Sequence, residues 1–405
     1  MNLPIHEPDN EPFIPRRPSD DLPSQVGFET ICTHFGEASH VVGGPAAVPI
    51  YQASTFLFPD AEAFEKRKAA GSPYYEYTRV GNPTTAVLEA KLARLEQAEW
   101  CFCLSSGMAA ISAAINACVH AGAHVVCAER CYWPTARYLR NYLPRFGVTT
   151  TFVNSIDPAD YIAAIRPETK LIYIESPTSG TMEILDVRSI TAEARRRGIP
   201  VAFDNSWASP FYQTPLELGC DLVVHSATKY IGGHSDVVAG VVCGRDEQLR
   251  RRVFREVELV GGTIDPFAAW LLIRGVRTLG VRLEQHQRSG LAVARFLAQH
   301  PSVRRVRHPG LESDAGHALA LRQMRGFGGL FSFELHEQSR EATHRFIDRL
   351  KLFSIGVSWG GHESLVLGGN FWSQDSQMPA WMIRLYVGLE TTEDLVEDVR
   401  MALEK

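Results

Sequence analysis

Lys229 stands in the run DLVVHSATKYIGGHSDVVAGVV, just after an apolar strand-like segment and among Ser226, Thr228 and Tyr230. A lysine at a strand end is, taken alone, a solvated residue leaving the core. Its surroundings point further. The hydroxyls of Ser226 and Thr228 can bind phosphate oxygens, and Gly232 and Gly233 let the backbone pass close to a planar ligand. A lysine that attacks a carbonyl carbon needs a lowered pKa, which desolvation and a neighbouring cation can supply.

Asp204 ends the buried run IPVAFD, 25 residues before that lysine. Read locally it is a helix N-cap or a turn aspartate. Beside a pyridine nitrogen the same carboxylate would keep the ring protonated and working as an electron sink, the role pyridoxal 5'-phosphate requires. Strand-like CFCL runs into Ser105-Ser106-Gly107-Met108, which opens a small-residue helix. That tetrapeptide is by itself an ordinary helix cap, yet helix N-termini present free N–H groups that suit a dianionic phosphate. Tyr132, in ERCYWPTA after HVVCA, comes from the same sheet edge. It could stack on the ring, although a tyrosine alone is more often a packing aromatic.

These residues must be carried by a particular scaffold. The β-branched or apolar runs CFCL, HVVCA, VTTTFV, KLIYI, IPVAF, DLVVH and AGVVC alternate with helical patterns at Thr84–Glu96, Gly107–His120 and Val187–Arg197. Such alternation predicts an α/β fold with a mainly parallel central sheet, covered on both faces and holding ligands at the carboxyl ends of its strands. Six prolines before residue 25 predict an extended arm. PIYQASTFLF reads as strand-like, and Ala61 to Ala70 as a short helix. After about residue 270 a long helical stretch from Trp270 to His300, interrupted by glycines, leads into FGGLFSFEL, LFSIGVSW, MIRLYVGLE and an acidic helix from Thr392. The expected division is 1–80, an N-terminal arm; 81–270, the cofactor-binding domain; and 271–405, a smaller C-terminal α/β domain.

Composition excludes several function classes. Forty-one basic against 46 acidic residues among 405 leave a net charge of -5, which does not suit a nucleic-acid or anionic-membrane partner. The runs Arg195–Arg197 and Arg250–Arg252 read as solvated helix faces. Eight cysteines lack CxxC or zinc spacing, and no apolar segment has the form of a signal or a membrane span. A soluble cytoplasmic enzyme without a metal is expected.

The chain resembles the Cys/Met-metabolism family of pyridoxal-phosphate enzymes, of fold type I (the aspartate aminotransferase-like fold). The resemblance rests on Asp221–Ser235 and on further motifs covering most of the chain beyond residue 45. It implies that Lys229 carries the cofactor as a Schiff base, that Asp204 pairs with the ring nitrogen, and that Tyr132 stacks on the ring. Gly107, Met108, Ser226 and Thr228 would hold the phosphate. YEYTRVGNPT also matches, implying that Tyr77 and Arg79 reach across a dimer interface to the neighbouring subunit's phosphate, Tyr77 also touching substrate, in a tetramer of two such dimers. Sequence alone makes that segment an exposed turn. Arg384 of MIRLYVGLE matches the arginine that grips the carboxylate of an amino-acid substrate. Ser358 and Trp359, in GVSWGGHESL, belong to the same pocket.

Within the family, Ser179 of IESPTSGTMEI, Trp207 of DNSWASP and Trp359 are similar to the β-lyase branch. That resemblance implies α,β-elimination of a cysteine thioether such as cystathionine. YTRVGNPT reads as readily like the γ-enzymes, and Val357 matches neither branch. A γ-synthase, γ-lyase or sulfhydrylase of the same family is the alternative, and a non-catalytic cofactor-binding protein the remote one. Tyr132 is expected to help proton transfer with a lowered phenol pKa, from cationic neighbours.

Overall fold

The computed structural model describes residues 26–37, 45–67, 72, 74–368 and 379–404; the proline-rich arm expected over the first 25 residues lies outside them. Seven strands form the first sheet: β1 (Trp100–Leu104), β2 (His124–Ala128), β3 (Thr149–Val153), β4 (Thr169–Glu175), β5 (Val201–Asp204), β6 (Leu222–Ser226) and β7 (Gly240–Gly244). Their order is β1-β7-β6-β5-β4-β2-β3. Only β7 is reversed, pairing antiparallel with both β1 and β6, so the remaining six strands end at one edge. The mainly parallel sheet expected from the alternation is present.

Burial on both faces explains why these strands are continuous apolar runs. One face packs Tyr173, Ala202, Val224 and Val242 against the small side chains of helix Gly107–Asn116. The other buries Val223, Val241 and Cys243 with helices Pro83–Leu95 and Pro266–Val276. Helix Gly107–Asn116 begins where Ser106 Oγ accepts the Ala109 N–H at 3.1 Å. Its first turn lies so close to β7 that a Cβ on Gly240 would collide with the Ser106 carbonyl.

A second sheet, ordered β10-β11-β12-β9-β8, is built from β8 (Val303–Arg307), β9 (Leu330–Leu335), β10 (Ser354–Ile355), β11 (Leu365–Leu367) and β12 (Ile383–Tyr386). Its own core includes Phe331, Phe333, Ile383 and Leu385, packed with Leu395 and Val399 of helix Thr392–Leu403. Three expectations need correction. PIYQASTFLF forms no ladder, only an isolated bridge between Thr55 and Tyr77, because its polar backbone groups are taken up singly: Tyr51 N–H by Thr84 Oγ1 at 2.9 Å and Tyr51 O by Asn82 Nδ2 at 2.8 Å. The short helix after it covers Ala61–Lys66. The long helical stretch is two helices, Pro266–Val276 and Leu279–Gln299, separated at Arg277-Thr278. Its Gly275 is a close-approach position, where a Cβ would run into the Gly232 carbonyl.

Candidate active site

Because β1, β2, β4, β5 and β6 end together, the residues following them converge on one cavity of about 680 Å³. β6 carries Ser226 and leads into the turn holding Thr228 and Lys229, whose N–H donates to Ser226 O at 3.0 Å. The second sheet supplies the opposite wall. There the Lys229 amine donates to Ser358 Oγ at 2.6 Å and sits 5.5 Å from the ring centroid of Trp359. Burial first, and then the charge of Arg384, push this amine down to about 8. The wall can come so near because Gly360, at φ +90°, has no side chain; a Cβ there would lie 2.7 Å from Lys229 Cα.

Arg384 projects from β12 and its Nη2 donates to the carbonyls of Val357 (3.1 Å) and Ser358 (3.0 Å). Burial lowers its guanidinium to about 10. The arginine and the lysine therefore face one space from two sheets.

Asp204 ends β5 with its carboxylate buried. Oδ1 accepts from the Ser206 N–H at 3.0 Å and the Ser206 hydroxyl at 2.6 Å, and Oδ2 from the Tyr173 hydroxyl at 3.3 Å. Burial raises its pKa, against the pull of the Ser206 bonds. Ser206 also accepts the Ser226 N–H at 2.7 Å, tying β5 to β6 at the cavity floor. Thr228 is fixed by Ala239, whose N–H reaches its hydroxyl at 3.0 Å. Gly107 and Met108 open their helix beside Ser226, and a Cβ on Gly107 would stand 2.9 Å from the Ser226 side chain.

Tyr132 lines the cavity after β2, its N–H donating to Glu175 Oε2 at 2.7 Å. The expectation of a lowered phenol pKa is corrected here. Burial, then Asp204 and Glu175, push the phenol up, since its neighbours are carboxylates rather than cations. Tyr77 and Arg79 do not reach this cavity. They line a separate open cleft with Thr55, Phe56 and Glu76, and Arg79 donates to the Glu258 carbonyl. The other ten expected residues are all brought together.

Sequence reasoning missed Glu175, Ser206 and Gly360. Glu175 is in register with Asp204 on the neighbouring strand, and burial and Asp204 raise its carboxyl to about 8. Its other oxygen accepts from Ser179 Oγ at 2.6 Å. The signal was available: like Asp204, Glu175 is a carboxylate closing an apolar run of a parallel sheet.

A buried carboxylate opposite a lysine with a lowered pKa, with a helix N-terminus and hydroxyls between them, fits the ring nitrogen, aldehyde and phosphate of pyridoxal phosphate. The cradle at Gly107 is closed to any side chain, as a phosphate approached by backbone N–H groups requires. Among the described residues no group of three or more His, Cys, Asp or Glu is placed to hold a metal, and no helix is long and apolar enough to cross a membrane.

Fold and site together define a fold-type-I pyridoxal-phosphate enzyme. More narrowly, the chain belongs to the Cys/Met metabolism PLP-dependent enzymes, whose sequence profile matches residues 29–404. It is 38% identical over 393 residues to the L-methionine gamma-lyase of Treponema denticola, covering 94% of this chain and 98% of that one. It is 39% identical over 385 residues to the cystathionine gamma-lyase of Bacillus subtilis (93% and 99%), and 37% identical over 390 residues to the cystathionine beta-lyase of Lactococcus lactis (94% and 100%). The crystal structure of metB from Corynebacterium glutamicum superposes with a TM-score of 0.88 at 35% identity, covering 93% of this chain and 98% of that one. The protein is thus a PLP-dependent enzyme of carbon–sulfur amino-acid chemistry.

Proposed function

We propose that the enzyme cleaves the Cβ–S bond of an L-cysteine thioether, cystathionine being the type substrate, by α,β-elimination. With one water consumed, the products are homocysteine, pyruvate and ammonia. Pyridoxal phosphate, bound through Lys229, would supply the electron sink for the pair left at Cα. Arg384 holds the substrate's α-carboxylate, with Ser358 and Trp359 beside it. A guanidinium fits because it stays charged and can grip both oxygens. Lys229 removes the Cα proton and returns a proton to the departing thiolate, and its lowered pKa suits both duties near neutral pH. Asp204 would face the ring nitrogen, while Gly107, Met108, Ser226 and Thr228 would hold the phosphate. Tyr132 would stack on the ring and, with its raised pKa, serve as a proton donor rather than a base.

The observation that carries the choice of β-elimination is Trp359, whose ring centroid lies 5.5 Å from the Lys229 amine in the cavity and which is similar to the tryptophan of the β-lyase branch. A γ-elimination needs a second deprotonation, at Cβ, before its leaving group departs. Trp207 and Ser179, lining the same cavity, support this reading through their likeness to β-lyases. The γ-lyase reading is favoured by the methionine and cystathionine gamma-lyases among the relatives, at 38–39% identity against 37% for the beta-lyase. Identifying the keto acid formed from cystathionine decides between them. Pyruvate with homocysteine supports β-elimination, and 2-oxobutyrate with cysteine overturns it. Cystathionine formed from cysteine and an acylated homoserine would identify a synthase.

The reading includes a shared site. Tyr77 and Arg79 serve the phosphate of a neighbouring subunit, in a dimer that pairs into a tetramer; their separation from this chain's own cavity supports it. A cytoplasmic location is supported by eight buried, unpaired cysteines.

A further inference from the structure

Behind Asp204 lies a buried polar layer that the reaction outlined above leaves unused. His225 of β6 alternates with the cavity-lining Ser226 and so points to the opposite face of the sheet. There its Nε2 meets Oε1 of Glu96, at the end of helix Pro83–Leu95, at 2.6 Å, with the two side chains 2% and 1% exposed. The same carboxylate oxygen accepts from Asn205 Nδ2 at 2.9 Å. Asn205 immediately follows Asp204, and three bonds lock it: that one, a second from Nδ2 to Gln213 O at 2.9 Å, and its N–H to Val224 O at 2.9 Å.

Among the described residues, five buried side-chain atoms of this layer have no hydrogen-bond partner: Glu96 Oε2, His225 Nδ1, Asn205 Oδ1 and both amide atoms of Gln213. Burying such a set costs more than burying an apolar one of the same shape, so stability alone does not account for it. His225 also acts electrostatically on Asp204, opposing the effect of burial on that carboxyl.

We propose that Glu96 and His225 are a positioning pair for Asp204, fixing through Asn205 the backbone that carries its carboxylate and holding that carboxylate in the geometry and charge a ring nitrogen needs. The inference rests on the assignment of Asp204 to that nitrogen, and the two can fail separately.

The test measures dissociation constants of the purified apoenzyme for pyridoxal phosphate and for its 1-deaza analogue, in which a C–H replaces the ring nitrogen. His225→Gln and Glu96→Gln should each weaken pyridoxal phosphate roughly tenfold while moving the analogue by no more than about twofold, because only the former meets Asp204 as a charge partner. Equal weakening of both ligands would reveal a merely structural pair and overturn the proposal, as would no change in either. Should one of these variants fold poorly, Asn205→Ser, which cuts the link but keeps the pair, is expected to erase part of the same preference, and an intact preference would overturn the proposal. Asp204→Asn is the control. If it leaves the preference for pyridoxal phosphate intact, the assignment of Asp204 is wrong. If it abolishes the preference while His225→Gln does not, only the pair's role falls.

Discussion

Lys229 must be uncharged to attack the cofactor's aldehyde, yet it lies buried within the influence of a guanidinium. With its pKa near 8, most of the amine is charged below that pH and free above it. Capture of pyridoxal phosphate by the apoenzyme should therefore speed up as pH rises through about 8, followed by stopped-flow absorbance. Burial is the larger cause and stays when Arg384 is replaced. Arg384→Gln removes the second, so the rise should move to higher pH, whereas Arg384→Lys should leave it nearly in place. Either change should raise KM for the amino-acid substrate, by about tenfold or more for Arg384→Gln, since a carboxylate loses a charged bidentate partner. An unmoved rise in Arg384→Gln would show that Arg384 does not act on this lysine. Borohydride reduction of the holoenzyme should fix the cofactor on Lys229, and mass spectrometry finding it elsewhere would refute the assignment. At this scale the sequence was most legible where a residue type has few other uses, as for Lys229 among hydroxyls and glycines. Ser206 was not legible because a serine after Asp-Asn looks like any turn residue; its role appears only when β5 and β6 lie side by side.

The elements matter through how closely they approach. The proposed phosphate cradle depends on helix Gly107–Asn116 starting directly against β7 and β6, and two glycines permit that approach. Gly240→Ala would force its Cβ into the Ser106 carbonyl, a backbone atom that cannot rotate away. The expected cost is about 1–3 kcal/mol in denaturant unfolding, together with weaker cofactor binding as the helix start is displaced. Gly122→Ala provides the contrast. That glycine has φ +85° with open space around it, so the change should cost about 1 kcal/mol of strain and leave cofactor affinity alone. Equal loss of affinity in both would mean that global destabilisation, not cradle geometry, controls binding. Element types in the first sheet were legible because strands buried on two faces must be short apolar runs. PIYQASTFLF misled because an apolar, β-branched segment looks the same whether or not a neighbouring strand is available to complete its ladder. Gly275 misled in the other direction: in sequence it looks like a helix interruption, and in three dimensions it is where one backbone passes over another.

At the scale of the whole molecule, Tyr77 and Arg79 are the residues whose placement this chain does not explain by itself. They face a cleft of their own, and Tyr77 is 45% exposed, although the family resemblance implies a phosphate-binding role for them. Their separation from Lys229 is what a site shared between two copies requires, and closed twofold symmetry is the usual way to share one. Complementation tests this directly. Lys229→Ala and Arg79→Ala homo-oligomers should each be nearly inactive, the second through loss of cofactor. In a heterodimer of the two, the Arg79→Ala chain keeps its own Lys229 and receives Arg79 from its partner, so that site is whole. The other site lacks the lysine and receives an alanine at 79, so it is dead. A purified heterodimer, separated by different affinity tags, should therefore recover about half of the wild-type kcat per dimer. If Arg79 instead served its own chain, both sites of the heterodimer would carry one lesion each and no activity would return.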